Sequence, residues 1–484
     1  MRRSLGAIVV WLVFGSFFAA DIAAASFAGE PIAGSWLGTL DAGVKLRIVF
    51  HIERSADGKF STTLDSPDQG AKGIRVDETT FADNSLRLTI KSLSGSFEGK
   101  LADGEINGKW TQAGASLPLV LKRTEKVPEL ARPQMPKKPY PYTEREVTYR
   151  NDQANITIAG TLTLPKTDKP CAAVLLITGS GAQDRDESLL GHKPFLVLAD
   201  DITRRGIAVL RVDDRGVGGS TGDPSASTTS DLAGDVLAGV AFLKTCPEID
   251  PQRIGLLGHS EGGLIAPLAA SRSSDVKFIV LIAGPGVTGE EILYAQGELI
   301  TRAAGAGDAA VKHQRALQEK MFAIAKEYDK QVAAAPQDMP PDPHETEEQI
   351  VALLTGLASF LPEDQRKDAE AKALAKARPI LTPWFRYFLS YDPRPALAKV
   401  KCPVLAVIGE RDLQVPPAQN MPELEKALKA AGNTDYTLRE LPELNHLLQT
   451  CKTGSPTEYA EIEETIAPSA LELIGTWIVQ KTTR

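Results

Sequence analysis

Cysteine is scarce in this chain, with only four residues, Cys171, Cys246, Cys402 and Cys451, among 484. Four cysteines are too few for a disulfide scaffold, although one or two bridges are compatible with an oxidising compartment and three full pairings stay open. No Cys/His spacing suggests zinc, so we expect no metal site.

An excess of positive charge is also missing, because 54 Lys and Arg residues face 62 Asp and Glu residues, a formal net charge of -8. This balance argues against nucleic acid or an anionic membrane as the main partner. A composition with 43% hydrophobic and 24% charged residues is that of a globular chain long enough for two or three domains.

Long apolar runs are rare, and the one that stands out lies at the start of the chain. Two arginines at positions 2 and 3 precede the apolar stretch Leu5 to Ala20, and the small residues Ala23–Ala25 follow, a pattern typical of a secretory signal. We predict a signal peptide over residues 1–25, with cleavage after Ala28 and an uncleaved anchor as alternatives. No later segment reads as a membrane span, so we expect a soluble periplasmic or secreted protein.

The most informative stretch is Gly258-His259-Ser260-Glu261-Gly262, a G-x-S-x-G motif. An apolar run at 254–257 precedes it and a helical pattern at 263–270 follows, which predicts a strand, a sharp turn and a helix. The two glycines leave room for a tight backbone, so the Ser260 hydroxyl stands clear of the sheet edge. We interpret Ser260 as a nucleophile; the alternative is a capping serine in a glycine-rich turn.

An activated serine needs a base, and the chain offers few histidines for this role. Outside the motif, only His313, His344 and His446 follow Ser260 in the sequence. His446 lies in a loop after the alternating strand pattern 436–441, whereas His313 lies on a polar helical stretch and His344 in an acidic, proline-rich segment. We predict His446 as the base; the alternative is an ordinary loop histidine.

The base needs an acid that orients it. The apolar run 403–409 is typical of a buried strand and ends in Glu410-Arg411-Asp412. A carboxylate at the end of a parallel strand lies on the edge where α/β sheets place their sites. We predict Asp412 as the acid, with Glu410 as its competitor and a surface ion pair with Arg411 as the alternative.

Two backbone N–H groups are needed to stabilise an oxyanion. The first expected donor is the N–H of Glu261, directly after the nucleophile. The second is the N–H of Ser180, with Gly181 next, in the glycine-containing loop that follows the predicted strand 172–178. The alternative for this loop is a plain strand-to-helix connection.

These motifs occur in an order that resembles the α/β-hydrolase superfamily, and more closely its bacterial esterase and serine-aminopeptidase-like branch with an N-terminal β domain. The likeness covers about residues 145–481 and departs from the pattern at Thr178-Gly179, where many relatives have His-Gly. It implies a hydrolase without metal or cofactor. The stretches that carry the resemblance are Leu176–Gly181, Asp184–Asp186, Asp213–Gly218, Gly258–Gly263, Ile408–Pro416 and Leu444–Leu447.

The rest of the chain indicates three further parts. Residues 30–125 alternate in polarity between turn signals, which predicts a small all-β, barrel-like domain of about six to eight strands. Five prolines make residues 126–144 a semi-rigid linker. We expect residues 145–484 to form a doubly wound, mostly parallel α/β sheet with a helical cap inserted at about 287–395.

Four aromatic residues near the end of the predicted cap, Trp384, Phe385, Tyr387 and Phe388, fit the lining of an acyl or aromatic substrate pocket. The alternative is packing of the cap against the core. Taken together, the sequence predicts an exported serine hydrolase that cleaves a small carboxylic ester, or a short acyl or peptidyl substrate, through an acyl-enzyme. A serine peptidase of the aminopeptidase or prolyl type, and a non-catalytic binding module, are the alternatives.

Overall fold

The computed structural model describes residues 32–483 apart from 42–44, 56–57, 70, 113–114, 128–130, 337–340 and 357–362. The predicted signal peptide lies outside the described residues. Two sheets organise what is described, the first of nine strands and the second of eight. In the same part of the chain, no helix combines the length and apolar character needed to cross a bilayer.

The first sheet is antiparallel throughout and forms a half-barrel in the hydrogen-bonded order β4-β3-β2-β1-β9-β8-β7-β6-β5. The expectation of six to eight strands was too low, since nine are described. The two end strands, β4 and β5, are five residues each and mostly polar, so their sequences lack a clear apolar alternation. The strands are β1 (Gly34–Asp41), β2 (Lys45–Arg54), β3 (Phe60–Ser66), β4 (Ala71–Arg75), β5 (Glu78–Ala82), β6 (Ser85–Ile90), β7 (Gly95–Ala102), β8 (Glu105–Gln112) and β9 (Ala115–Thr124).

Large aromatic side chains lie in the hydrophobic core of this sheet. Trp36, Phe50, Phe97 and Trp110 are all at most 3% exposed. The Phe50 ring lies 5.8 Å from that of Phe97 and 6.3 Å from that of Trp110. Each strand alternates its side chains between the two faces of the sheet, so apolar residues of all nine strands share one face. That face forms a hydrophobic core separate from the cores of the second sheet.

The second sheet has the order β10-β11-β13-β12-β14-β15-β16-β17, and its strands from β13 to β17 are parallel to one another. Strands β10 and β11 are antiparallel to their neighbours. The predicted mostly parallel sheet is therefore confirmed. The strands are β10 (Thr143–Asn151), β11 (Ile156–Leu164), β12 (Cys171–Ile177), β13 (Ala208–Val212), β14 (Ile249–His259), β15 (Phe278–Ile282), β16 (Val404–Gly409) and β17 (Tyr436–Leu441).

Helices cover both faces of the second sheet, and for this reason its central strands are continuous apolar runs. Strand β12 sends Ala173 and Leu175 to one core and Val174 and Leu176 to the other. The first face is covered by α2 (Thr229–Thr245), α3 (Gly262–Arg272) and α10 (Pro417–Ala430), and the second by α1 (Pro194–Arg204) and α11 (Pro468–Thr482).

Between β15 and β16 the described chain forms six helices, in the interval where the sequence predicts a cap. A small core of their own, which includes Phe322, Tyr328, Ile350 and Leu389, holds them together. Helix α4 begins at a capping box, in which Thr288 and Glu291 each bond the backbone N–H of the other. The helices are α4 (Gly289–Ala303), α5 (Asp308–Ala334), α6 (His344–Leu354), α7 (Glu363–Ile380), α8 (Pro383–Ser390) and α9 (Arg394–Leu397).

The proline-rich segment between the two sheets is anchored on the second one. Arg132 donates to the carbonyls of Ile462 at 2.9 Å and Leu190 at 2.8 Å. Gln134 donates to the carbonyl of Ile466 at 2.6 Å and accepts from its N–H at 3.0 Å. These bonds tie the segment to the stretch of chain that leads into α11.

Candidate active site

Ser260 lies on a strained turn between β14 and α3. Its φ is 53°, in the left-handed region that side chains other than glycine seldom adopt, and its N–H donates to the Ile282 carbonyl at 2.8 Å. A Cβ on Gly258 would lie 2.0 Å from the Gly262 carbonyl oxygen, and a Cβ on Gly262 would lie 2.2 Å from that of Ile177. Only glycine fits on either side, so the motif forms the strand, turn and helix that its sequence predicts.

His446 and Asp412 form a buried pair. Asp412 follows β16 and His446 follows β17, and the His446 Nδ1 lies 2.8 Å from the Asp412 Oδ2. The other oxygen of Asp412 accepts the N–H groups of Gln414 and Val415, both at 2.8 Å. Because a carboxylate only accepts, Nδ1 carries the proton and Nε2 is left with a free lone pair.

The loop of His446 is brought against the turn that carries Ser260. The His446 ring lies 4.9 Å from the ring of His259, the residue before Ser260, and the His446 carbonyl lies 3.1 Å from His259 Nε2. Asn445 shapes the loop by accepting the N–H groups of Leu447 and Gln449 at 3.0 Å. Ser260, Asp412 and His446 therefore gather at the carboxyl edge of the parallel strands, where α/β sheets hold their ligands.

The competing residues lie elsewhere. Glu410 accepts the N–H of Glu443 at 2.8 Å and has no bond to His446 among the described residues. His313 on α5 and His344 on α6 are exposed on the helices of the inserted segment. In the described structure His446 therefore bonds Asp412 and not Glu410.

The loop after β12 lies next to this site. Its residue Ser180 is exposed, and Gly181 has a φ of 96°. Among the described residues, neither the N–H of Ser180 nor that of Glu261 donates to a protein acceptor, so both are free to meet a ligand oxygen. The N–H of Gly179, by contrast, is taken by Glu187 Oε1 at 2.7 Å.

The carboxyl group of Asp214 holds the loop after β12 by hydrogen bonds. It accepts the hydroxyl of Thr178 at 2.8 Å and the N–H of Gln183 at 2.9 Å. Burial, more than the nearby acids Glu187 and Glu261, raises the pKa of Asp214 to about 8. The group is therefore largely a neutral acid at pH 7.

The side chain of Glu261 joins the turn to the inserted helices, a contact that the sequence did not predict. The carboxyl group accepts the Thr229 hydroxyl at 2.7 Å and the Trp384 indole N–H at 2.9 Å. The Ser180 side chain also bonds it, and burial raises the pKa of Glu261 despite these three donors. Glu261 thus contacts α2, α8 and the loop after β12 at one point.

The four aromatic residues predicted to line a pocket have different surroundings. Trp384 reaches the site through Glu261 and stacks on Phe388 at 5.4 Å. Phe385 packs 6.0 Å from Phe322 inside the inserted segment, and Tyr387 stacks at 5.4 Å on Tyr391. Trp384 is therefore the member of the set that the structure connects to Ser260.

All four cysteines are free thiols, and Cys451, near His446 in sequence, is buried. Burial raises the pKa of the Cys402 thiol to about 12. In the described part of the chain, no cluster of three or more His, Cys, Asp or Glu side chains is arranged to hold a metal ion.

The fold and this site define an α/β hydrolase. Residues 174–462 match the model of the Alpha/beta hydrolase family, and the chain belongs to that family. Esterase EstD of Thermotoga maritima is 30% identical over 158 residues, which span 33% of this chain and 36% of the esterase. An uncharacterized 31.7 kDa protein of Escherichia coli, from the traX-finO intergenic region, is 26% identical over 46% of this chain and 68% of its own length.

Among solved structures, an esterase of Pyrococcus furiosus is similar to this chain with a TM-score of 0.42 and 16% identity, over 74% of this chain and 100% of the esterase chain. The matched part of EstD is about a third of that protein. The family match places the chain among the α/β hydrolases, as its sequence predicts.

Proposed function

We propose that this protein is an exported serine hydrolase that cleaves carboxylic esters of small molecules through an acyl-enzyme. The observation that carries the proposal is the buried pair of His446 and Asp412, 2.8 Å apart, beside the strained turn that presents Ser260. A serine, a histidine and an acid in this chain order and at this edge of the sheet are the parts of a nucleophilic triad.

In this mechanism the Ser260 oxygen attacks the ester carbonyl while His446 Nε2 takes the hydroxyl proton. The tetrahedral intermediate collapses, His446 returns the proton to the leaving alcohol, and an acyl group remains on Ser260. Water then attacks the acyl-enzyme with His446 as its base, and the carboxylic acid leaves. Asp412 holds the required tautomer of His446 and stabilises the imidazolium that forms in each half-reaction.

The N–H groups of Glu261 and Ser180 stabilise the negative oxygen of both tetrahedral intermediates. Preorganised donors of this kind are commonly the largest single contribution to acyl-transfer catalysis, and loss of one costs roughly 100- to 1000-fold in kcat. Both donors lack a protein acceptor among the described residues, which supports this assignment. We assign Trp384, whose indole N–H bonds Glu261, to the wall of the acyl pocket.

Ester cleavage is favoured over an aminopeptidase reaction because the nearby acids are already engaged. Recognition of a free amine needs carboxylates open to the substrate. Asp186 is paired with Arg211 and Lys193, and Asp184 accepts two backbone N–H groups. Residue Glu261 is only 2% exposed. We therefore assign an ester, and not an amino-terminal peptide bond, to this site.

The test combines active-site labelling with a substrate comparison. A fluorophosphonate probe should label the native protein and leave Ser260→Ala unlabelled, while Ser271→Ala on α3, whose hydroxyl bonds the Leu268 carbonyl, labels normally. Short p-nitrophenyl esters should be hydrolysed and aminoacyl anilides should not. Equal labelling of the native protein and Ser260→Ala would end the proposal, and preferential cleavage of the anilides would replace the esterase with a peptidase.

Export rests on the signal predicted over residues 1–25. The full chain expressed in a Gram-negative host should be found in the periplasmic fraction with a new N-terminus near Ala25. Recovery of the full-length chain in the cytoplasmic fraction would contradict this part of the proposal.

A further inference from the structure

A second histidine–carboxylate pair, His259 and Glu187, lies beside the first. His259 Nδ1 lies 2.9 Å from Glu187 Oε1, and the residues are 8% and 6% exposed. The other ring nitrogen of His259 lies 3.1 Å from the carbonyl oxygen of His446. The mechanism of ester cleavage assigns no role to this pair, although His259 directly precedes Ser260.

The partners of His259 fix its protons. A backbone carbonyl only accepts, so Nε2 must carry a hydrogen. On the other side Glu187 Oε1, which also accepts the Gly179 N–H at 2.7 Å, shares one further proton with Nδ1. One proton therefore lies between Glu187 Oε1 and His259 Nδ1, and when Nδ1 holds it the ring is an imidazolium that donates from both nitrogens. Burial lowers the pKa of His259, but the charge and hydrogen bond of Glu187 outweigh it, and the net shift is upward.

The pair connects three separate parts of the site. Glu187 reaches the loop after β12 through the Gly179 N–H, next to Ser180. His259 belongs to the turn of Ser260 and holds the loop of His446 by its carbonyl. Glu187 itself has a φ of 52°, and its N–H donates to the Asp184 carbonyl at 2.9 Å, so a tight turn fixes the direction of its side chain.

We propose that Glu187 and His259 are positioning residues, which hold the loop of Ser180 and the loop of His446 in register with Ser260. This inference rests on the proposed function, because it assigns the pair a task in that reaction. The titratable groups that face the pair are Asp412 and His446 on the side of His259, and Asp214 on the side of Glu187. The side chains of Asp412, His446 and Asp214 do not bond the ring nitrogens of His259, whose partners are Glu187 and the His446 carbonyl.

Substitution of Glu187 by glutamine is diagnostic because an amide cannot replace the carboxylate here. If the amide oxygen keeps the Gly179 N–H and the Nδ1–H, the ring is neutral and its bare Nε2 faces the His446 carbonyl. If the ring instead keeps its Nε2–H bond to that carbonyl, Nδ1 has no proton and must accept a hydrogen bond from the amide NH₂. The NH₂ group then also faces the Gly179 N–H, which loses its acceptor. One bond of the chain from Gly179 to His446 is lost in either case.

The experiment compares Glu187→Gln with Glu458→Gln. Glu458 also accepts backbone N–H groups, those of Lys452 and Thr453, but within the described part of the chain it has no histidine partner. For Glu187→Gln we expect kcat/KM for a p-nitrophenyl ester to fall about 10-fold or more. The loss should be chiefly in kcat, because the pocket wall is untouched. The control variant Glu458→Gln should keep the native kcat and KM. His259→Phe should lower kcat similarly, and the double variant should be no worse than the poorer single variant. Losses of kcat that multiply in the double variant, or a change in KM without a change in kcat, would overturn the inference.

A measurement on the unaltered protein keeps the inference testable should these variants fail to fold. The measurement is an NMR spectrum of protein labelled with ¹⁵N-histidine. The His259 signals are assigned from a His259→Gln spectrum or by elimination of the other five histidines. Both ring nitrogens of His259 should be protonated at pH 7. A neutral His259 ring at pH 7 would overturn the inference. Failure of the proposed function is recognised separately, because an inactive native protein leaves the His259 spectrum as expected.

Discussion

Asp412→Asn tests the triad with little change in shape, and the surroundings of Asp412 define its effect. The acid is 2% exposed, with one oxygen on His446 Nδ1 and the other on two backbone N–H groups. If the asparagine oxygen keeps the backbone bonds, its NH₂ faces Nδ1. The His446 proton must then move to Nε2, the atom that has to accept the Ser260 proton.

The opposite orientation of the asparagine side chain is unfavourable. It would restore the bond to Nδ1 but would turn the NH₂ toward the N–H groups of Gln414 and Val415. Two buried donors without acceptors cost about 1–3 kcal/mol each, so this orientation is disfavoured by about 2–6 kcal/mol. The variant therefore keeps its fold and holds His446 in the wrong tautomer, for which losses of roughly 10⁴-fold in kcat are typical of serine hydrolases.

The assay is the steady-state hydrolysis of a p-nitrophenyl ester, with thermal unfolding as a check of the fold. We expect Asp412→Asn to lower kcat by at least about 1000-fold with an unfolding temperature close to that of the native protein. Glu410→Gln, at the competing acid two residues earlier, is the matched control and should retain native activity. A fully active Asp412→Asn, or an equal loss in Glu410→Gln, would refute the reasoning.

Three further predictions concern stability and export. The pKa of Asp214 is raised to about 8, against about 4 in the unfolded chain. The contribution of Asp214 to the free energy of unfolding is therefore fully present below pH 4 and is lost as the pH rises toward 8. The unfolding temperature of Asp214→Asn should accordingly rise relative to that of the native protein between pH 5 and pH 8. A constant difference would contradict this. Arg132→Ala removes part-buried bonds to the carbonyls of Ile462 and Leu190 and should lower the free energy of unfolding by about 1–3 kcal/mol in urea titrations. Lys137→Ala, at an exposed position, should leave it unchanged, and equal values for the two variants would refute the prediction. Deletion of residues 1–25 should leave an active protein in the cytoplasmic fraction, and periplasmic recovery of the deleted form would contradict the predicted signal.

Much of the second sheet was predictable because its strands are buried on both faces. Runs such as 172–178 and 403–409 are apolar without alternation, and runs of this kind separated by helical segments are typical of a parallel sheet between two layers of helices. The glycines around Ser260 were equally informative, since no other residue fits there. Strands β4 and β5, by contrast, are short and polar, and their place is set by pairing with neighbours and not by their own sequences.

The side-chain partners in the site were less accessible from the sequence. Glu410 and Asp412 both follow the same strand, and the sequence does not show which of them the loop of His446 meets. In the structure that loop meets Asp412. Glu187 directly follows the motif at 184–186, but its bond to His259 spans 72 positions and depends on how two loops meet. A useful sequence signal was present all the same, because His259 directly precedes the predicted nucleophile, and a histidine buried at that place needs a partner for each ring nitrogen.

The central claim is that the Ser260 hydroxyl becomes acylated by the ester substrate, and a trapped adduct tests it most directly. Native protein mixed with excess p-nitrophenyl acetate and quenched in acid within the first turnover should gain the mass of one acetyl group, and peptide mapping should place that group on Ser260. An acetyl group on any other residue, or native protein that turns over the ester without gaining mass in Ser260, would contradict the account.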